Sequence, residues 1–199
     1  LGSLDKITGG AGSDTLNATI DGSVAPLSIS GVETINVTVT TNASTLNLTN
    51  ASGLTTLNMA GSSAAATVSG VGSAVAMAVS DSASSHTLTY NDVSGTADTA
   101  TVTVAGLSGG AATDLTIAGV ETIALTASGT TNDFDLVATA AKTLTIAGTG
   151  EITLPNLDTA TTDSLTSIDA SSNSGAVTIT TGQQDTGSTT DLSVTGGSG

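Results

Sequence analysis

The sequence predicts an all-β fold, an irregular parallel β-solenoid, from three observations. Apolar residues alternate with Thr, Ser or Asn along most of the chain, which is the period of a β-strand. Segments with this pattern start about eleven residues apart and are separated by turn-forming Gly, Asn, Asp and Ser. The composition also favours a thin core, since 40 Thr and 26 Ser stand among 199 residues and the only aromatic residues are Tyr90 and Phe134.

The alternating segments predict a series of short strands. A coil made of them cannot bury its own apolar residues, so it needs neighbours above and below. The steps between strands are uneven, which indicates an irregular solenoid, and a β-sandwich with similar strand spacing is the alternative. In chain order the strands are expected at Leu16–Ile20, Leu27–Ile29, Ile35–Val39, Leu46–Leu48, Leu57–Met59, Ala66–Val68, Val75–Val79, Leu88–Tyr90, Val102–Val104, Leu115–Ile117, Ile123–Leu125, Phe134–Leu136, Leu144–Ile146, Ile152–Leu154, Val177–Ile179 and Leu192–Val194.

A longer repeat lies over the strand pattern. Leu27–Val37 matches Leu115–Leu125 at an offset of 88 residues, with Glu33 and Glu121 at the same place in each copy. We therefore expect two related β modules at 21–110 and 111–194. They lie between the end of a Gly-rich repeat at 1–20 and the start of another at 195–199.

The stretch Gly9–Asn17 carries a metal-binding motif. It is a full copy of the nonapeptide G-G-x-G-x-D-x-U-x, where U is a large apolar residue, which binds Ca²⁺ in parallel β-rolls. Its glycines allow a tight turn that brings carbonyl oxygens together, and its aspartate adds a carboxylate. Two stacked turns can then supply the roughly six to eight oxygens that Ca²⁺ takes. The motif predicts calcium ligands at Gly9, Gly10, Gly12 and Asp14.

Two flanking stretches extend this motif. Asp5, nine residues before the aspartate of the motif, belongs to the tail of a preceding repeat and is predicted to be its stacked partner. At the other end, Val194–Gly199 repeats Ile7–Gly12 almost position for position, which predicts half a calcium site at Gly196 and Gly197. We expect the chain to be a segment of a longer protein with calcium repeats on both flanks.

Five other acidic residues are weaker candidates for metal binding. Asp98 follows a Gly-x-x-Asp spacing that resembles a degenerate repeat, and Asp133 and Asp135 fall on one face of a predicted strand. A solvated turn explains an acidic residue at these three places better than a calcium site does. For Glu33 and Glu121, a hydrogen bond to turn N–H groups is an explanation as good as calcium. His86 and Tyr90 receive no function.

Charge excludes several classes of function. The net charge is −15, with two lysines and no arginine, so phosphate groups of nucleic acid could not be neutralised. A chain this acidic is expected to bind cations. It has no cysteine for disulfides, and no apolar run approaches the ~20 residues of a membrane span. We predict no enzyme activity, because the nearest carboxylate pair, Asp133 and Asp135, has no acid or base partner.

The nonapeptide, the Gly-Val-Glu-Thr-Ile elements and the Ser/Thr-rich coils together resemble RTX-type surface-layer proteins of Gram-negative bacteria. The resemblance is best over 95–199, where Ala118–Ile123, Ala140–Leu144, Leu165–Ser172 and Thr195–Gly199 follow in the family's order. It implies a non-catalytic protein that leaves the cell by type I secretion, folds outside on calcium and forms a two-dimensional lattice. The chain departs from the family in having few intact nonapeptides.

We therefore expect a structural, calcium-stabilised segment of a secreted surface layer, whose partners are copies of itself. Any contact with cell-surface polysaccharide is expected from other parts of the chain, without membrane insertion. The alternative is a stalk or spacer domain of a secreted RTX adhesin, which shares the same repeats. Ice binding by rows of threonines, such as Thr87 and Thr89, comes third, because uneven steps are expected to stagger those rows.

Overall fold

The computed structural model describes residues 1–72, 75–158, 165–181 and 192–199. In these residues every regular element is a β-strand, every strand pair is parallel, and the strands stack in coils as a β-solenoid of about eight turns. This confirms the predicted fold class. A two-sheet sandwich would instead contain antiparallel strands joined by tight hairpins. No helix in the described part is long and apolar enough to cross a membrane.

The strands form three sheets, named here A, B and C. Sheet A contains β1 (Lys6–Thr8), β4 (Ser28–Ser30) and β7 (Ala51–Ser52). Sheet B contains β2 (Thr15–Ile20), β5 (Thr34–Val39), β8 (Thr56–Ala60), β10 (Ala76–Ser82), β13 (Thr122–Ser128), β15 (Thr143–Gly148), β17 (Ser167–Asn173) and β19 (Ser193–Thr195). Sheet C contains β3 (Ser23–Val24), β6 (Ser44–Asn47), β9 (Ala66–Val71), β11 (His86–Tyr90), β14 (Asp133–Val137), β16 (Ile152–Asp158) and β18 (Val177–Thr181). The long strand β12 (Thr99–Ala118) passes from sheet B into sheet C.

Each of the predicted strands overlaps a strand of the structure, whereas β1, β3, β7 and β17 had not been expected. One coil takes between 19 residues, from Leu16 to Ile35, and 29 residues, from His86 to Leu115. A step of about eleven residues is therefore half a coil. Four strand-to-strand steps lead from β5 to β13 and join Ile35 to Leu125 in register, an offset of 90 residues, so segments 88 residues apart lie two residues out of register in sheet B. At the expected module boundary, 110/111, β12 continues without interruption.

The core is one continuous column of small apolar side chains. Within each strand the apolar residues alternate with outward polar ones, so that Ile35, Leu57 and Val102, for example, are fully buried. One connected cluster extends from Ile20 to Ala170, with Phe134 as its largest fully buried side chain. Truncating such a side chain to Ala costs about 2–5 kcal/mol in well-packed cores. The stability of the solenoid therefore depends on each coil covering the apolar side chains of the next coil.

The outer faces carry polar side chains in register. In sheet B, Asn17, Asn36 and Asn58 stack as a ladder, in which each Nδ2 donates to the Oδ1 of the previous coil at 2.7 Å. In sheet C, Thr45, Thr67 and Thr87 are direct partners in successive strands. The expected stagger of such rows is wrong, because variations in coil length are absorbed by corners and bulges while neighbouring strands keep their register.

A column of left-handed residues forms the corner that leads out of sheet B. Gly61, Gly106 and Gly129 have φ of 61°, 71° and 77°, and Asp81, at 51°, is the one non-glycine residue with positive φ in the described chain. Gly61 N donates to Ser80 O at 3.0 Å, so these corners stack on one another. A side chain in this conformation is strained, though Asp tolerates it better than most residues.

Replacing Asp81 by Gly and by Ala tests this strain. Both changes remove the same charge, so the difference in unfolding free energy between the two variants isolates the backbone. We expect Asp81→Ala to be less stable than Asp81→Gly by about 1 kcal/mol, measured by denaturant unfolding. Equal stability would mean that the corner relaxes out of the left-handed region.

His86 is the one histidine of the chain and lies inside the core, 1% exposed. Ser82 Oγ donates to Ser62 O at 2.9 Å and accepts from Ser84 N, so His86 Nε2, 2.9 Å from Ser82 Oγ, must be the donor in that contact. The contact therefore places a proton on Nε2, and the buried Nδ1 has no hydrogen-bond partner among the described residues. Burial lowers the pKa of His86 from 6.5 to about 4.

This histidine makes stability depend on pH. A lowered folded-state pKa means that the unfolded chain takes up a proton between pH 6.5 and about 4 while the folded chain does not. We expect the unfolding free energy to fall by roughly 3 kcal/mol as pH is lowered through this window. Denaturant unfolding of His86→Gln gives the control, since carboxylates titrate in both proteins. The same pH dependence in both would contradict the assignment.

Candidate metal centre

The predicted calcium motif lies at the corner where the chain enters sheet B, and the structure joins it to the next coil. Asp14 N donates to Glu33 Oε2 at 2.8 Å, and Asp14 O accepts from Glu33 N and Thr34 N at 3.2 and 3.1 Å. Asp14 and Glu33 are thus stacked partners 19 residues apart. The Asp14 Oδ2 atom is buried and has no hydrogen-bond partner in the part of the chain that the structure describes. Two carboxylates therefore meet at one corner, with one acceptor oxygen unsatisfied.

Glycines allow the backbones of three coils to approach one another beside this pair. A Cβ on Gly9 would collide with Gly31 O, and one on Gly31 would lie 3.1 Å from both N and O of Gly10. Gly53 continues the column, since a Cβ on this residue would lie 3.9 Å from Glu33 Oε1. The close approach places main-chain carbonyl groups next to the carboxylates. Gly10 and Gly12 have φ of 124° and 121°, values that L side chains rarely adopt.

The same contact recurs four strands along sheet B. Asp98 N donates to Glu121 Oε2 at 3.0 Å, and Asp98 O accepts from Thr122 N at 3.0 Å. Glu33 and Glu121, which match at the 88-residue offset, therefore make the same contact at their corners. This contact confirms the expectation that turn N–H groups bond these glutamates. In this copy Asp98 Oδ2 accepts from Gly95 N at 3.1 Å, so the carboxylate that is unsatisfied at Asp14 has a partner here.

The structure does not bring the other predicted calcium residues to this corner. Asp5 precedes sheet A, where its carbonyl accepts from Leu27 N at 3.0 Å and its Oδ2 accepts from Gly2 N at 2.8 Å. Asp5 is therefore not the stacked partner of Asp14, since nine residues are less than half of even a short coil of 19 residues. The stacked partner is Glu33, which the nonapeptide pattern could not identify.

The C-terminal glycines lie at a different corner. Gly196 and Gly197 follow β19 and so leave sheet B, where Ser198 N donates to Asn173 O at 3.2 Å. A Cβ on Gly197 would lie 2.8 Å from Ala170 O, so these glycines also allow close backbone stacking. The similar sequences Ile7–Gly12 and Val194–Gly199 thus occupy two different corners of the coil. The first follows β1 of sheet A, and the second follows β19 of sheet B.

Asp133 and Asp135 lie on the outer side of sheet C, between two bulges. Asp135, on β14, is the strand partner of Asp114 on β12 and is 7% exposed. The Oδ1 atoms of Asp133 and Asp135 are buried and have no hydrogen-bond partner among the described residues. Burial raises the pKa of the Asp135 carboxyl, a hydrogen bond from the Asn156 side chain lowers it, and the charge of Asp114 raises it again. The pair on one strand face was predicted, but the covering bulges could not be.

The corner at Asp14 can provide only oxygen ligands, which suits a hard cation such as Ca²⁺. In the described ranges no group of three or more Asp, Glu, His or Cys side chains is arranged to hold a metal ion. Carboxylates alone would therefore not complete a site, and backbone carbonyls have to supply the other ligands. The glycine column brings main-chain groups of neighbouring coils close to this corner, so the kind of oxygen donor that calcium takes is present there.

Comparison of the chain with protein-family models, with curated proteins and with solved structures found no match.

Replacing Glu33 by Ala tests the inter-coil bond without metal. The change removes a charged acceptor from Asp14 N, and we expect a loss of about 1–2 kcal/mol in unfolding free energy in the presence of chelator. Glu33→Gln keeps an acceptor oxygen and should lose less. Glu151→Ala, at an exposed residue, removes the same charge as the control. Equal effects of Glu33→Ala and Glu151→Ala would show that the bond contributes nothing.

Proposed function

We propose that this protein is a structural, calcium-stabilised solenoid segment of a secreted bacterial surface layer, which works by self-assembly. The observation that carries the calcium part is the corner of Asp14 and Glu33. There a buried carboxylate oxygen has no partner, a second carboxylate lies against the same turn, and the glycine column brings carbonyl groups close. A buried acceptor left unpaired is costly, and a cation offsets this cost.

In this proposal Asp14 and Glu33 hold the ion together with carbonyl groups of the Gly9–Gly12 and Gly31 turns. Calcium supplies two positive charges where the two stacked carboxylates repel each other. Since the ligands come from successive coils, the ion joins one coil to the next. Asp98 and Glu121 form a weaker candidate of the same type, because the Asp98 carboxylate already accepts from Gly95 N.

The surface-layer part of the proposal is supported by the elongated, stacked architecture and by the charge of −15. Millimolar calcium outside a cell would fill a weak site that stays empty in the cytosol. A ligand that binds only the folded state stabilises it by about 2.7 kcal/mol when present at one hundred times its dissociation constant. That is a large share of an ordinary domain's stability, so order and assembly should follow secretion.

The stalk or spacer domain of a secreted adhesin is the alternative function. It would use the same calcium corner to stiffen a rod, and copies would remain separate. The two functions differ in one measurable property, the association of the purified protein in calcium.

A calcium titration of Asp14→Asn tests the site. We expect this variant to need about tenfold or more calcium than the wild type to reach the same thermal stability, since one charged ligand is lost. Magnesium should not replace calcium, because it demands a tighter octahedral geometry. Circular dichroism melts and electron microscopy across the titration measure order and assembly.

Asp21→Asn provides the matched control. Asp21 is an exposed corner aspartate whose Oδ1 accepts from Asn42 Nδ2 at 2.8 Å, a bond that an asparagine oxygen can also accept. Its calcium requirement should equal that of the wild type. If stability and assembly are the same in calcium and in excess chelator, or if both variants shift equally, the calcium proposal is wrong.

A further inference from the structure

Charge is distributed unevenly over the solenoid. Most of the described acidic residues lie at corners or on sheet C, where Asp114, Asp133 and Asp135 are found. In the described strands of sheet B, carboxylates occur only at Asp81, on a corner, and at Asp169. The outward side of sheet B is otherwise Thr, Ser, Asn, Ala and Gly. Two copies with net charge −15 repel each other, and this face allows the closest approach with the least repulsion.

The outward side of sheet B is also periodic. Its central column begins with Asn17, Asn36 and Asn58 and continues in register through Ala78, Thr103 and Thr126. An amide has two N–H donors and two acceptor lone pairs on its oxygen. Asn36 uses one of each along the ladder, since it donates to Asn17 and accepts from Asn58. One N–H of Asn36 and one lone pair of its oxygen are therefore not used by the ladder.

A second copy of this chain is the occupant that matches this face. Strands repeat about every 4.8 Å across the sheet, and a partner built of the same coils presents polar groups at the same spacing without adjustment. Each column contains donors and acceptors, so the face is complementary to itself, as an isologous contact requires. Six residues by nine strands cover roughly 750 Å², close to the ~800 Å² that each partner buries in a standard interface.

From these features we infer that the outward side of sheet B is the face through which copies of the protein pair, with the Asn17, Asn36, Asn58 ladder and its threonine continuation at the centre. This inference rests on the proposed self-assembly and names the surface that performs it. The corners, where acidic residues concentrate, then remain outside the contact and accessible to calcium.

One charge placed on each face tests the inference. Thr126 and Thr89 are exposed, outward threonines in sheets B and C, and neither side chain makes a hydrogen bond in the described chain. Sedimentation velocity in calcium measures self-association of the full chain carrying Thr126→Asp or Thr89→Asp. We expect Thr126→Asp to weaken association by about tenfold or more, because like charges would face each other, and Thr89→Asp to leave it unchanged. Circular dichroism melts check that both variants fold.

A mixing experiment makes the test sharper. Thr126→Lys should restore association when it is mixed with Thr126→Asp, since opposite charges then meet across the same face. If Thr89→Asp alone weakens association, copies pair through sheet C and the inference is overturned while the proposed self-assembly stands. If Thr126→Asp abolishes ice shaping and leaves association intact, the face binds ice and the inference is equally wrong. A wild type that stays monomeric in calcium contradicts the proposed function itself.

Discussion

Parallel main-chain pairing between successive coils is the constraint on which the rest of this structure depends. Each strand bonds to the strand one coil earlier and one coil later, so side chains of the same position stack into columns. Inward columns form the continuous core, and outward columns form ladders such as Asn17, Asn36 and Asn58. Because register is kept in the strands, differences in coil length have to be placed at corners and bulges. The corners are therefore where the coil length can vary, and where the left-handed glycines and most of the acidic residues lie.

Stacking has an electrostatic consequence at those corners. A carboxylate repeated at the same corner of adjacent coils faces another carboxylate at close range, and the two repel each other unless something intervenes. At Asp98 and Asp14 the glutamate of the next coil reaches back to the aspartate N–H, which satisfies a turn donor. The two corners differ in the aspartate side chain, since Asp98 accepts from Gly95 N and Asp14 keeps a free oxygen. That difference makes Asp14 the stronger candidate for a cation.

Charged groups lie mainly at the corners, whereas the outward side of sheet B is largely uncharged. In the proposed function, a cation at a corner would join coils within one molecule, and the periodic neutral face would form the contact between molecules. The buried histidine adds a dependence on pH, since burial lowers the pKa of His86 to about 4 and the unfolded chain takes up a proton at higher pH than the folded chain does. Acid should therefore weaken the fold.

The sequence by itself determined most of the strands, the solenoid class and the matching positions of Glu33 and Glu121, because alternation with period two and an 88-residue offset are visible in one dimension. The short strands β1, β3 and β7 and the polar strand β17 were missed. The sequence also determined the turn at Gly9–Asp14, since only glycine tolerates that backbone. The tertiary structure decided which residues meet. Asp5 was paired with Asp14 from a nine-residue spacing, yet a coil takes at least 19 residues, so Glu33 stacks there instead. Coil length is set by how the corners close around the core, and no local pattern of residues contains that information.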